Sequence, residues 1–359
     1  MPTRREFIAL TTAALAAQAS GMAAIKPASR PLDILFLGGT GFLGPHQINH
    51  ALARGHRVTM FNRGSNSGMY GDAVEELTGN RDSKVDKGLA ALEGDRTWDV
   101  VVDNSGYVPR HVRDSVMLLK DRCRRYIYVS TVAVYDFAVA DEFPETAKLA
   151  DLADPSIEEV TGETYGPLKA ECDRIAREIM GDACTVVRPT YVVGPGDHTD
   201  RFTYWVDRVN RGGEVLAPSG PELISQWVDA RDLCPWIVTL AENDTAGVFN
   251  AAGPVSTTTR TGFMWGLLAT TTVKAELYWP DAGLLEELDI NLPMMGRGEK
   301  ALFVNAASIG AGLQYRSLAD TATGTLEWWQ SQPAERRANP RRWPGPEKEQ
   351  AAIAKLRSG

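Results

Sequence analysis

The sequence predicts an α/β protein with a doubly wound parallel sheet, and three observations lead to this prediction. Short apolar runs alternate with helical patterns over roughly 160 residues, as they do in successive βαβ units. A glycine-rich segment, GGTGFLG, follows the first apolar run directly and opens a helical pattern. The 359 residues are 43% hydrophobic and 23% charged, so they can fill one large core or two coupled ones.

The elements are assigned in order from residue 32. Residues 32–37 form a continuous apolar run, which is typical of a buried parallel strand. A helix over 45–54 ends at Gly55, and residues 57–61 form the second strand. Further along the chain, the pattern predicts strands at 74–77, 98–103, 126–130 and 185–188, and helices at 87–92, 110–123 and 165–180.

The regular alternation ends near residue 193 and divides the chain into predicted regions. Residues 31–193 are assigned to a Rossmann domain that binds a dinucleotide. Residues 194–332 are assigned to a smaller, discontinuous C-terminal substrate lobe, in which 226–233 and 247–250, within 226–255, return to the core sheet. Residues 333–359 are rich in Pro, Arg and Glu, which predicts a surface-wrapping or partly disordered tail.

The first thirty residues differ from the rest and are interpreted as a signal peptide and linker. Arg4 and Arg5 precede a weakly apolar run over 9–24, the pattern of a twin-arginine export signal, and small residues at 17–19 offer a cleavage site. The run is too short and alanine-rich for stable membrane insertion. We therefore expect the twin-arginine (Tat) export machinery as a partner and a periplasmic location. The alternative is a cytoplasmic protein with a disordered basic tail.

The glycine-rich segment is a candidate phosphate-binding loop. Glycines at 38, 41 and 44 allow a tight turn and a close backbone approach to a pyrophosphate, while the amides of the following helix supply anion donors. A glycine turn without a ligand is the alternative. The candidate cofactor-binding residues of this loop are Gly38, Thr40, Gly41, Phe42, Leu43 and Gly44.

The end of the second strand distinguishes the two nicotinamide dinucleotides. It carries Asn62 and Arg63 and no carboxylate, and an arginine here pairs with a 2′-phosphate, which favours NADP over NAD. NAD stays open, because Arg63 could equally be solvated or stacked. After the fourth strand, Asn104 and Ser105 line the cofactor or form a plain turn.

A second group of residues indicates acid/base chemistry. Tyr165 and Lys169 lie four apart near the start of a helix, hence on one face, and hydroxyl-bearing Ser130 and Thr131 end the fifth strand. A carbinol that loses hydride needs a base with a pKa near the working pH, and an adjacent ammonium lowers the pKa of a phenol. The alternative is that Tyr165 packs on the sheet and Lys169 is solvated.

Taken together, GGTGFLG, the Ser-Thr-x-x-x-Tyr segment, YGPLK and the run RPTYVVGPG resemble the NAD-dependent epimerase/dehydratase family over residues 32–255. The resemblance implies that Tyr165 is the general acid/base, that Lys169 lowers its pKa and holds the nicotinamide ribose, and that Thr131, rather than Ser130, orients the substrate. It also implies that Pro189, in the last motif, contacts the cofactor. The start FLGGTGFLG is similar to that of chloroplast stem-loop RNA-binding proteins as well. That likeness leaves open a non-catalytic RNA-binding or nucleotide-sensing module.

The remaining features limit the function. A net charge of −8 and a pI near 5.3 argue against nucleic acid as a partner. Four scattered cysteines without a CxxC pair predict no metal site. His198 and Arg201 face either the substrate or the core of the lobe, and a homodimer stays open.

We therefore expect a small-molecule enzyme of the short-chain dehydrogenase/reductase superfamily. It would hold NADP or NAD tightly and oxidise transiently a carbinol of a sugar, glycoside, polyol or aromatic alcohol. Export favours a retained cofactor, because a periplasmic enzyme has no obvious nicotinamide pool to exchange with. A conventional alcohol dehydrogenase or ketone reductase is the alternative.

Overall fold

The structure is a computed structural model and describes residues 25–295 and 300–358. The predicted export signal, with Arg4 and Arg5, lies outside these residues. Across the ranges that are described, no helix is both long enough and apolar enough to cross a membrane.

A seven-stranded sheet forms the centre of the molecule, and all of its strand pairs are parallel. The chain adds strands on one side of the first strand and then crosses over to add strands on the other side. This reversal creates the crevice in which doubly wound folds bind ligands, at the carboxyl ends of the strands. In sheet order the strands are β11 (Gly247–Ala251), β7 (Cys184–Pro189), β5 (Cys123–Val129), β4 (Trp98–Asp103), β1 (Asp33–Leu37), β2 (Arg57–Asn62) and β3 (Glu75–Thr78).

Helices cover both faces of this sheet, so its strands are apolar on both sides. On one face, α1 (Leu43–Ala53) packs against α5 (Ala230–Glu242), and their side chains share a core with β1. On the other face, α2 (Pro109–Leu119) packs against α3 (Tyr165–Met180). The doubly wound parallel sheet predicted from the sequence is confirmed.

A smaller lobe lies beside the sheet. Its core is aromatic and includes the buried Trp205, Trp227 and Phe263. Its strands form a three-stranded sheet of β8 (Tyr191–Val193), β10 (Ile224–Asp229) and β12 (Gly253–Thr259), and a pair of β9 (Gly213–Leu216) with β13 (Ala275–Tyr278). A further pair of β6 (Glu142–Phe143) with β14 (Leu302–Phe303) belongs to a separate core cluster around Tyr135. The further helices are α4 (Arg201–Arg211), α6 (Arg260–Leu268), α7 (Ala282–Glu287), α8 (Ala306–Gly310), α9 (Leu318–Ser331), α10 (Ala334–Ala338) and α11 (Pro346–Ser358).

Several elements differ from the sequence prediction. Strand β10 pairs with β8 and β12 instead of returning to the seven-stranded sheet, and residues 230–233 already belong to α5. The predicted return at 247–250 is correct and corresponds to β11. The helix predicted at 87–92 is a single 3₁₀ turn, Ala90–Leu92. The helix predicted to reach Cys123 ends at Leu119, because Cys123 already pairs with Trp98 in the sheet.

The C-terminal tail is folded rather than partly disordered. Helix α11 buries Ala352 and Ile353 in the core of the smaller lobe. Its Glu349 is also buried and accepts hydrogen bonds from Arg208 Nε at 2.8 and 2.9 Å and from the backbone N–H of Leu216 at 3.0 Å. Composition suggested disorder, but two apolar residues and one buried ion pair are enough to attach the helix.

Candidate active site

A cavity of about 1280 Å³ opens at the carboxyl ends of the strands, between the sheet and the smaller lobe. Every site residue that the sequence singled out lines it. These residues are Gly38, Thr40, Gly41, Phe42, Leu43, Gly44, Asn62, Arg63, Asn104, Ser105, Ser130, Thr131, Tyr165, Lys169, Pro189, His198 and Arg201.

Three of the four glycines in the loop after β1, those predicted to shape the phosphate site, have different steric surroundings. Gly38 has a φ of +87°, and a Cβ on it would lie 2.9 Å from the Ser105 Cβ. A Cβ on Gly44 would lie 2.2 Å from the Gly39 carbonyl oxygen, so Gly44 allows α1 to start against the loop. Around Gly41, by contrast, nothing lies within 4 Å of an added Cβ. The backbone at Gly41 therefore borders open space that a pyrophosphate can occupy.

The start of α1 suits an anion. Its N-cap, Phe42, provides no side-chain cap, and the first turn contains no acidic residue. The first amides of a helix lack intrahelical partners and carry a positive partial charge, so here they stay available to an anion. The smaller lobe contacts this segment, because His46 Nε2 lies 2.9 Å from the Pro195 carbonyl oxygen and the ring of His198 lies 6.5 Å from that of Phe42.

The end of β2 has an unused hydrogen-bond donor. Asn62 Oδ1 accepts from the Gly64 N–H at 2.7 Å, and this places Asn62 in a turn with Gly64 at a φ of +79°. Asn62 Nδ2 is buried and has no hydrogen-bond partner. Arg63 is exposed beside it at the cavity. A buried amide without a partner fits a ribose hydroxyl, since such a group is otherwise unfavourable.

A buried ion pair supports the segment after β4, and the sequence analysis missed its cation. Arg81 donates to both carboxylate oxygens of Asp103, at 2.7 and 2.9 Å, and Tyr126 Oη donates at 2.7 Å. Burial opposes ionisation of Asp103, but the charge and hydrogen bonds of Arg81 keep its pKa below the usual range. Asp103 in turn accepts from the Ser105 N–H at 3.0 Å, so the ion pair shapes the loop.

Asn104 and Ser105 connect this loop to the glycine-rich loop. Asn104 Nδ2 donates to the Gly38 carbonyl at 3.1 Å, and Ser105 Oγ donates to the Leu37 carbonyl at 3.1 Å. Asn104 also exchanges two hydrogen bonds with Gln47 of α1. Both residues line the cavity, and these contacts hold the two loops that form its floor together.

Lys169 is buried at the base of the cavity. Its Nζ donates to the carbonyls of Gly106 and Val129, both at 2.8 Å. It also lies 4.2 Å from the ring centroid of Tyr128 and 5.2 Å from that of Tyr107. Burial lowers the pKa of Lys169 to about 8, although Asp103 is among the groups that oppose this shift. The ammonium is thus held in a fixed place and titrates near neutral pH.

Tyr165 lies beside Thr131 at the start of α3. A Cβ on Gly166 would lie only 2.3 Å from the Ala133 carbonyl oxygen, so a glycine is needed for α3 to come this close to the segment after β5. Burial and then the neighbouring Tyr107 raise the pKa of Tyr165 to about 12, and a hydrogen bond from Thr131 opposes part of the shift. The protein's own groups therefore keep the phenol neutral, and the lowering of the Tyr165 pKa that the sequence analysis expected from Lys169 does not occur.

The segment 198–205 contributes to both the cavity and the core of the smaller lobe. Arg201 and the exposed His198 line the cavity, and the guanidinium of Arg201 lies 5.2 Å above the ring of Tyr191. Tyr204 and Trp205, which continue the same segment, are buried in the core of the lobe.

Tyr107 was also missed. It follows the β4 loop directly, its ring centroid lies 6.3 Å from that of Tyr165, and it lines the cavity. Its position after the Asp103–Gly106 segment was a usable signal, because loops after neighbouring parallel strands meet at one edge of the sheet. In the described ranges, no group of three or more His, Cys, Asp or Glu side chains is arranged to hold a metal.

The fold and this site define a class, the Rossmann-type short-chain dehydrogenase/reductase enzymes, with a glycine-rich loop, a Tyr-x-x-x-Lys pair and a hydroxyl residue at one cavity. The chain belongs to the NAD dependent epimerase/dehydratase family, whose family model matches residues 34–252. The family resemblance read from the sequence motifs is confirmed.

Solved structures of this class share the fold. The WbmG enzyme of Bordetella bronchiseptica, in complex with NAD and UDP, is 16% identical, with a TM-score of 0.63 over 84% of this chain and 96% of that one. The UDP-glucuronic acid 4-epimerase of Bacillus cereus, in complex with NAD, is 15% identical, with a TM-score of 0.62 over 84% and 99%. The UDP-glucose 4-epimerase of Thermotoga maritima, with UDP-glucose, is 18% identical, with a TM-score of 0.59 over 83% and 98%.

One relative with a curated function is similar in sequence. The chloroplast stem-loop binding protein of 41 kDa b of Arabidopsis thaliana is 26% identical over 244 residues, which are 63% of this chain and 60% of that protein. The match thus spans less than two thirds of the relative.

Proposed function

We propose that this protein is a redox-neutral NAD(P)-dependent enzyme that oxidises a carbinol transiently and returns the hydride to the same molecule. One observation carries the proposal: Tyr165, Thr131 and Lys169 line the same cavity as the glycine-rich loop. An acid/base group and a dinucleotide site that share one cavity are what hydride transfer to or from a carbinol requires.

The residues present fit a dinucleotide. The uncapped start of α1 and the open space at Gly41 would hold the pyrophosphate, and Asn62 Nδ2 would donate to the adenosine ribose. Lys169 would hold the nicotinamide ribose, since two of its three donors already fix its position. When bound, the dinucleotide supplies a hydride acceptor next to Tyr165.

Tyr165 would take the proton of the substrate hydroxyl at its phenolic oxygen, and Thr131 would orient that hydroxyl. The neutral phenol must first lose a proton, which its pKa of about 12 makes unfavourable near pH 7. Positive charge near the phenol lowers this pKa, and among the described residues Arg201 supplies such charge. Proton transfer by a positioned side chain contributes about 10²- to 10⁴-fold.

The family and the expected export both support a redox-neutral reaction. Two enzymes of the same fold, WbmG and MoeE5, have been solved with NAD together with UDP or a UDP-sugar, and the family unites epimerases and dehydratases. A periplasmic enzyme would have to retain its cofactor, because no obvious nicotinamide pool exists there. Sugar nucleotides are scarce in that compartment too, so we propose a sugar, glycoside, polyol or aromatic alcohol as the substrate.

The test is to purify the protein without added cofactor, denature it and identify released dinucleotide by mass spectrometry. We expect close to one NAD or NADP per chain, and we propose NADP because Arg63 is exposed beside the ribose site. Arg63→Asp should shift the bound species towards NAD. An empty protein that turns over only with added NAD(P) would instead establish a conventional dehydrogenase or ketone reductase.

The curated relative motivates a second candidate, an RNA stem-loop binding protein. A net charge of −8 opposes it, since affinity for nucleic acid arises mainly from cationic contacts to phosphates. Filter binding with a labelled stem-loop RNA at low salt tests it directly. Tight binding that survives Tyr165→Phe would favour this candidate over the enzyme.

A further inference from the structure

The wall of the cavity formed by the smaller lobe presents a cation that is held in place. Arg201 is the first residue of α4, and its Nε donates to Thr199 Oγ1 at 2.9 Å. Its guanidinium carbon lies 5.2 Å above the ring centroid of Tyr191. A hydrogen bond on one side and an aromatic face on the other fix the guanidinium plane.

The segment before Arg201 is anchored as well. Asp200 has a φ of +59°, its carboxylate is fully buried, and it accepts from Arg336 and from the backbone N–H of Arg341 at 2.8 Å. Thr199 Oγ1 donates to the buried Asp197 at 2.6 Å. Residues from two parts of the chain thus preorganise the base of the Arg201 side chain, which lowers the entropy lost when a ligand binds it.

Arg201 has no carboxylate partner among the described residues. Its terminal nitrogens make no hydrogen bond there, whereas Arg81, which lines the same cavity, is paired with Asp103. The two acidic side chains among the described lining residues are Asp136, which pairs with Lys148, and Glu163, which lies two residues before α3. A half-buried guanidinium without an anion is unfavourable unless a ligand supplies one.

Arg201 acts on the candidate reacting groups and not on the end of the cavity that would hold the adenosine of the cofactor. The positive charge of Arg201 lowers the pKa values of Tyr107 and Tyr165, against the larger effect of burial. Arg63, the exposed arginine of the cavity, lies instead at the end of β2. Arg201, Tyr107 and Tyr165 also line one cavity, so an anion on Arg201 would belong to the ligand that presents its carbinol to Tyr165.

We infer that Arg201 binds a carboxylate carried by the substrate close to its reacting carbinol, so that the substrate is a hydroxy acid of the uronate or aldonate type. This inference rests on the proposed function. A planar guanidinium matches a carboxylate with two parallel hydrogen bonds, which gives both affinity and orientation. The same geometry accepts a phosphate, and the experiment separates the two.

The experiment measures binding without turnover, in full-length protein that carries Tyr165→Phe and its bound dinucleotide. Calorimetry compares methyl glucuronide with methyl glucoside and gluconate with glucitol, with glucose 6-phosphate as the phosphate probe. In at least one pair, we expect the ligand with the carboxylate to bind about tenfold tighter than the ligand without it. This is the gain in affinity expected from one hydrogen bond between charged groups. Arg201→Gln should abolish this preference, and Arg201→Lys should keep part of it.

The control is Lys148→Gln, which removes a positive charge beside the cavity, where Lys148 pairs with the lining residue Asp136, and should leave the preference ratio unchanged. The inference is overturned if neither pair shows a carboxylate preference, if the preference survives in Arg201→Gln, or if Lys148→Gln removes it equally. A preference for glucose 6-phosphate over both carboxylates that depends on Arg201 would replace the carboxylate by a phosphate. Failure of the proposed function shows separately, as no isomerised or dehydrated product when active protein is incubated with a probe that binds.

Discussion

Burial acts in opposite directions on the two titratable side chains at the start of α3. It lowers the pKa of Lys169 to about 8 and raises that of Tyr165 to about 12, because a low dielectric disfavours the charged form of each group. Burial therefore keeps the phenol of Tyr165 neutral and makes the ammonium of Lys169 lose its proton more easily. Both shifts have consequences that can be measured on single residues.

The free energy of unfolding should depend on Lys169 in the alkaline range. The unfolded chain keeps the lysine proton up to pH about 10.4, whereas the folded protein releases it near pH 8. Between these values the unfolded state binds more protons, so the stability of the wild type relative to Lys169→Met should rise with pH, by up to about 3 kcal/mol. Urea unfolding of both proteins from pH 7 to about 10 measures this.

An exposed lysine provides the control for that slope. Lys148 is paired with Asp136 at the surface, and its pKa is raised by this hydrogen bond rather than lowered. Lys148→Met should not reproduce the alkaline increase. A pH-independent difference between the wild type and Lys169→Met would show that Lys169 titrates as an ordinary lysine.

Tyr165→Phe should abolish turnover and leave the bound dinucleotide in place. The substitution removes one oxygen and almost no packing volume, so activity should fall by about 10²- to 10⁴-fold while cofactor content stays constant. Tyr107→Phe is the matched control, because it removes a neighbouring phenol and keeps the ring that covers Lys169. Activity of Tyr165→Phe within about tenfold of the wild type would remove the acid/base assignment.

At the scale of elements, one loop and one helix show how glycines of the same motif serve different purposes. Gly44 lets α1 start against the loop, whereas Gly41 borders the cavity. The motif alone does not separate these roles, since both residues occur in the same spacing. Their surroundings predict different phenotypes.

Gly41→Val should fold normally and lose its dinucleotide, because its side chain would enter open space meant for a pyrophosphate. Gly44→Ala should lower the melting temperature, since its Cβ would lie 2.2 Å from the Gly39 carbonyl oxygen. Thermal unfolding and the amount of dinucleotide released on denaturation measure both. Full cofactor content in Gly41→Val would mean that the glycines only form a turn.

The attachment of helix α11 through Glu349 leads to a second prediction at the scale of elements. Glu349→Ala leaves Arg208 without its partner in a mostly buried place, so we expect a loss of about 3 kcal/mol in the free energy of unfolding. Glu347→Ala on the exposed side of the same helix should change it by less than about 0.5 kcal/mol. Equal effects of both substitutions would show that α11 is not attached through Glu349.

At the scale of the whole molecule, the expected export signal and the cofactor site make one joint prediction. If the chain folds around its dinucleotide before export, the periplasmic form should be cleaved near residues 19–24 and should carry bound cofactor. Retention requires slow dissociation, which a lobe closed over the site favours; His46 already bonds to the Pro195 carbonyl across the two parts. The measurement is dinucleotide per chain in the periplasmic fraction.

The matched variant changes Arg4 and Arg5 to lysine, which keeps the charge and should stop export. Protein that stays in the cytoplasm regardless of these arginines would contradict the export prediction. An exported protein that is empty and needs added NAD(P) would contradict the redox-neutral reaction instead.

The sequence by itself determined the type of sheet, the glycine-rich loop and the Tyr165 and Lys169 pair, but not Arg81 or Tyr107, which line the same cavity. These features depend on local patterns, because an apolar run followed directly by GGTGFLG has few structural alternatives. The Tyr165 and Lys169 pair could be located for the same reason, as a spacing of four places both on one face of α3.

Only the tertiary structure decided which partners meet across long separations. The choice of β8 and β12 as neighbours of β10, the Arg81–Asp103 pair and the attachment of α11 through Glu349 all join segments whose local sequences carry no signal of one another. The same holds for the pKa values of Tyr165 and Lys169. Their residue types are visible in the sequence, but their ionisation depends on burial, which exists only once the surrounding elements have packed.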